Sequence, residues 1–95
     1  MAMLIIHHKV GDFGTFKEVF LDDQERRRRS GCKGARVHQN AVDHNDVWVV
    51  LEFETAEQAQ QHAEGLELNE AIKWATGNIS MPDFVVLENV METDA

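Results

Sequence analysis

The chain has 95 residues, 43% hydrophobic and 27% charged, with 17 acidic against 9 basic side chains and a formal net charge of -8. One domain, residues 1–95, is what that length supports, and the acidic balance disfavours nucleic acid, which wants a basic face, and gives no reason to expect attraction to anionic lipid. No apolar run is long enough to span a bilayer, no signal-peptide pattern opens the chain, and a single cysteine, Cys32, allows no internal disulfide, so the expected location is a reducing cytoplasm without membrane association.

Residues 3–10 alternate as a first strand. His8 shares a face with Leu4, Ile6 and Val10 and is expected beneath helices, while His7, with Met3, Ile5 and Lys9, takes the opposite face. Asp12 is a good N-cap for a helix whose Phe13, Phe16, Val19 and Phe20 follow helical spacing. Its second half is polar and carries Arg26, Arg27, Arg28 and Arg29. Pairs such as Asp22 with Arg26 and Glu25 with Arg29 make most of that run a solvated helix end. Arg27 extends the inward stripe past Phe20, at the mouth of a pocket, where a planar guanidinium suits a carboxylate. Gly31 or Gly34 is expected to end the helix.

A second strand over 33–40 and a hairpin through Asp43 to Asp46 lead to residues 47–53, the most β-branched stretch and the expected centre of the sheet. Val47, Val49, Leu51 and Phe53 lie on one face of that strand, Trp48 and Val50 on the other. Thr55 with Gln58 matches a capping box opening a helix with Ala59, His62, Ala63 and Leu66 on one side. Leu68, Ala71, Ile72 and Ala75 continue helical spacing, with Trp74 one step off the stripe, placed to roof a pocket or pack in the core. Pro82 precedes a fourth strand over 83–91, and the last residues read as a loose tail. The order β-α-β-β-α-β is the ferredoxin-like pattern, an α+β fold with a four-stranded antiparallel sheet. Helices cover only one face of such a sheet, and the apolar residues on the other predict a homodimer.

The strand-to-helix run from Lys9 through Gly11, Asp12 and Phe13, the segment Ser30-Gly31-Cys32-Lys33-Gly34, the hairpin Asn40-Ala41-Val42-Asp43 and the late Leu66-Glu67-Leu68-Asn69 together resemble the dimeric α/β-barrel superfamily, the antibiotic-biosynthesis-monooxygenase-like and cyclase-like proteins. The resemblance implies two sheets paired face to face across a two-fold axis and a pocket between each sheet and its helices. It implies no single reaction. Haem-degrading members use an Asn on the first strand, where this chain has His7 and His8.

Candidate site residues follow from that pocket. His8 and His62 are candidate catalytic groups that move or steer a proton; Phe16, Phe20, Arg27 and Trp74 are candidates to bind substrate. His38, on a polar face with Arg36 and Asn40, is expected at the barrel interface or the solvent edge, and His44, in a hairpin, in solvent. Histidines without a neighbouring cysteine or a His-x-x-x-His pair predict no metal site, and no cofactor is called for. The expected function is a cofactor-independent monooxygenase or an isomerase/cyclase acting on a small aromatic or polyketide-like compound. The alternative is a non-catalytic small-ligand-binding or stress-associated dimer. A regulatory module of the ACT type is weaker, because the first turn offers only Gly11 and Gly14.

Overall fold

Alternation and capping translate into seven elements in the computed structural model, which describes residues 1–67 and 82–95. They are β1 (Ala2–Lys9), α1 (Phe13–Asp22), α2 (Gln24–Arg29), β2 (Gly34–Gln39), β3 (Asp46–Phe53), α3 (Ala56–Glu67) and β4 (Asp83–Glu88). The strands form one sheet in the order β2-β3-β1-β4, every neighbouring pair antiparallel, with β3 and β1 central. This is the ferredoxin-like α+β fold. The expected helix over residues 68–77, including Trp74, lies outside the described residues.

Local chemistry sets the element ends. The Asp12 carboxylate accepts from the Thr15 backbone N–H at 2.9 Å and starts α1. Gly31, at φ 97°, turns the chain out of α2, a conformation that favours glycine, so Gly31 rather than Gly34 is the helix stop. The expected single first helix is instead two pieces meeting at Asp23. The ion pairs differ too. Asp23 takes Arg26 and Glu25 takes Arg28, both at i,i+3, in place of the expected i,i+4 pairs. Thr55 Oγ1 accepts from the Gln58 N–H at 3.1 Å, but Gln58 Oε1 has no hydrogen-bond partner among the described residues, so the capping box closes on one side only. The Gln58 amide instead lies against Gly31, where an added Cβ would meet Nε2 at 3.5 Å.

Pairing register sorts the side chains into rows across the sheet. One face carries Val37–Val49–Ile6–Phe84 and Ala35–Leu51–Leu4–Val86. The helices cover this face, and Leu4, Val47, Val49, Leu51 and Phe53 are buried in it with Phe16, Ala59 and Ala63. The other face carries His38–Trp48–His7–Asp83, Arg36–Val50–Ile5–Val85 and Gly34–Glu52–Met3–Leu87. No described element covers it.

Candidate functional site

A cleft of about 260 Å³ opens where α1 and α2 meet the edge strand β2. α1 contributes Phe20 and Leu21, α2 contributes Gln24, Arg27 and Arg28, and the run into β2 contributes Cys32, Lys33, Gly34 and Ala35. Ala35 belongs to the helix-side rows of the sheet, so the cleft lies between sheet and helices, at the margin that α1 and α2 leave open. Its lining holds three cations and no carboxylate, in a chain whose net charge is -8.

Arg27 is the most constrained of these cations. It is buried, its guanidinium sits 3.6 Å over the centre of the Phe20 ring, and Nη1 donates to the Phe20 carbonyl at 2.6 Å. The sequence stripe therefore continues inward as expected. Phe20 is half-buried and stacks on Phe16, whose own side chain is part of the core. Burial pushes the Arg27 pKa below its ordinary value, with the nearby Asp23 carboxylate opposing the shift. Both oxygens of Asp23 are occupied by Arg26, at 2.7 and 2.5 Å, and this pairing holds the Asp23 carboxyl below its usual range.

His62 projects from α3 toward the far end of α2. Its Nδ1 lies 2.9 Å from Ser30 Oγ, and the Ser30 hydroxyl also reaches the Arg27 carbonyl at 2.9 Å. With the hydroxyl donating to that carbonyl, Nδ1–H donates to Oγ and Nε2 is left as a bare acceptor. Nε2 is buried and has no hydrogen-bond partner among the described residues. Burial, with repulsion from Arg26 and Arg27, lowers the His62 pKa to about 4, so the ring is neutral at pH 7.

His8 is buried on the helix-covered face and His7 is not, as strand alternation predicts. The two candidate imidazoles are not brought together. His62 packs 5.4 Å from the ring of Phe53, which pairs with Ala2, whereas His8 pairs with Val47 at the other end of the same two strands. The span from Ala2 to His8 is about 20 Å at the rise of a strand, beyond a shared proton relay. Arg27, Phe20 and His62 thus cluster at one end of the covered face, and His8 stands at the other.

On the open face the His7 ring stacks on Trp48 at 3.9 Å, and its Nε2 meets Asp46 Oδ1 at 2.5 Å. Sequence reasoning gave Cys32 and Lys33 no part in a site. Cys32 points its thiol at the Gly34 carbonyl at 3.2 Å, in the cleft wall. The available signal was the tight spacing of Gly31 and Gly34, which folds that segment back beside α2.

A ferredoxin-like sheet with one helical layer, one open apolar face and a cleft at the helix margin defines the architecture from which dimeric α/β barrels are built. The chain has the fold of the antibiotic-biosynthesis-monooxygenase-like superfamily. A candidate antibiotic biosynthesis monooxygenase of Bordetella bronchiseptica superposes with a TM-score of 0.70 at 15% identity, over 95% of this chain and 98% of that one. One from Caulobacter crescentus gives 0.70 at 19% identity, over 95% and 90%. A monooxygenase from the ActVA-Orf6 gene of Streptomyces coelicolor, solved with nanaomycin D, gives 0.67 at 20% identity, over 99% and 92%. No family model and no curated protein matches the sequence. No helix among the described residues is long and apolar enough to cross a membrane.

Proposed function

We propose that this chain is a homodimeric, cofactor-independent monooxygenase acting on a small aromatic or polyketide-like compound. The observation that carries the reading is the cleft between helices and sheet, on a fold shared with a monooxygenase solved with nanaomycin D. Phe20, backed by Phe16, supplies an aromatic wall, and Arg27 fixes a polar group of the ligand. His62 acts as a positioning residue: neutral and turned to Ser30, it holds the end of α2 and so the backbone of Arg27.

A second reading, a non-catalytic ligand-binding dimer, is favoured by one observation: neither an imidazole nor a carboxylate lines the cleft. Two measurements separate the readings. Thermal shift with nanaomycin D and a panel of polycyclic phenols tests binding, because a ligand selective for the native state raises the midpoint. An oxygen electrode with the same phenols tests turnover. Uptake that Arg27→Lys weakens supports the enzyme; binding without uptake supports the second reading; neither binding nor uptake defeats both.

A further inference from the structure

Each cation in the arginine run of α2 except two has a carboxylate partner: Arg26 has Asp23 and Arg28 has Glu25. The two without one differ in kind. Arg29 is exposed, where water solvates a guanidinium at little cost; Arg27 is 6% exposed and has no ion-pair partner among the described residues. A buried, unpaired charge is expensive, and it persists where something repays the desolvation. Here the Phe20 ring and carbonyl offer partial compensation, the carbonyl through Nη1. The Arg27 side chain lines a cleft with Arg28 and Lys33 and without any acid.

We infer that the cleft takes a small aromatic carboxylate, with the acid group on Arg27, Lys33 at the mouth, and the ring along Phe20 and Leu21. The inference rests on the reading of this cleft as the ligand site and narrows it to a class of ligand. A planar carboxylate matches the two-point geometry of a guanidinium held over a ring, and the cleft, just under the usual range of ligand sites, suits a small ligand. Lys33 can contribute, since its ion pair to Glu54, the only one it makes among the described residues, is long at 3.8 Å and its side chain is half exposed.

The test compares 2-naphthoate with 2-naphthamide by calorimetric titration of the intact chain. The acid should bind about tenfold or more tightly than the amide, and only the acid should weaken as salt rises. Arg27→Lys should remove most of that preference and Lys33→Gln part of it. Lys33 is exposed, so its variant keeps the test alive if Arg27→Lys folds poorly. Equal binding of acid and amide overturns carboxylate recognition and leaves the cleft a ligand site. Displacement of naphthoate by equimolar inorganic phosphate overturns the aromatic-acid class in favour of any anion. Binding of neither probe overturns this inference, while the nanaomycin D and phenol panel judges the cleft itself.

Discussion

The two faces of the sheet are built by the same strands and meet opposite fates. Leu4 and Leu51 on the helix side are 0% and 1% exposed; Trp48, Val85 and Leu87 on the other side are 41%, 48% and 43% exposed. Hydrophobicity alone does not distinguish the faces, since Ile5, Val50 and Val85 form an apolar row as continuous as Leu51–Leu4–Val86. What differs is the layer above. Helices of this chain supply one, and the open face, apolar at its centre and ringed by the pairs Arg36–Glu52, His7–Asp46 and Lys9–Asp43, has the anatomy of an interface. Apolar residues at odd and even positions of one alternating strand leave a face that the proposed homodimer would cover.

The largest expected effect tests the covered face. Leu51→Ala should cost about 3–4 kcal/mol in urea unfolding, the price of a core cavity, whereas Ile5→Ala should cost under about 1 kcal/mol at protein concentrations low enough to keep the chain monomeric. Equal losses would show that the faces are not energetically distinct. Raising the concentration sharpens the contrast: the wild-type melting midpoint should climb with it, and Ile5→Asp should abolish the climb and sediment as a monomer. A wild type that stays monomeric at micromolar concentration breaks the interface reading.

The next effect belongs to the covered face alone. His62 has a folded-state pKa of about 4 against an ordinary 6.5, so the folded chain binds this proton less well than the unfolded chain. Its stability contribution is complete above pH 6.5 and is lost as the pH falls toward 4. The expected loss between pH 7 and 4.5 is about 2 kcal/mol, discounted from the full shift for water reaching the helix margin. Asp12, Asp23, Asp43 and Asp46 all have lowered values starting from 3.8, so their contributions drain below this window. His62→Gln should flatten the profile from pH 7 to 4.5; an unchanged slope would mean that another group titrates there.

These faces explain what was readable in the sequence. Strand alternation placed His8 under the helices and Trp48 in the open, and side-chain capping rules located Asp12 and Thr55, because each depends on neighbours in sequence. What depends on distant packing was not readable. The break at Asp23 and the i,i+3 pairing of Arg26 and Arg28 follow from how α2 docks, and periodicity carries no sign of it. The distance between His8 and His62 is set by strand register, which only pairing partners reveal. Cys32 and Lys33 enter the cleft because the chain doubles back at Gly31, a three-dimensional consequence of one left-handed residue.

The smallest expected effect asks whether the four consecutive arginines are one solvated helix end or two environments. Arg28→Lys should change stability by under about 0.5 kcal/mol, since its partner Glu25 is as exposed as it is and such pairs contribute little. A place at the mouth of a pocket, as the sequence stripe has it, would leave folding equally indifferent to lysine at Arg27 and put only ligand affinity at stake. The structure revises that expectation. The guanidinium sits over the Phe20 ring and donates to the Phe20 carbonyl, and a lysine ammonium lacks the planar, delocalised group that does both. Arg27→Lys should therefore lower stability by about 1 kcal/mol in the same urea unfolding, without ligand present. If both lysine variants unfold alike, the contact with Phe20 is too weak to hold the guanidinium in place. The cleft would then lack the fixed cation on which carboxylate recognition depends.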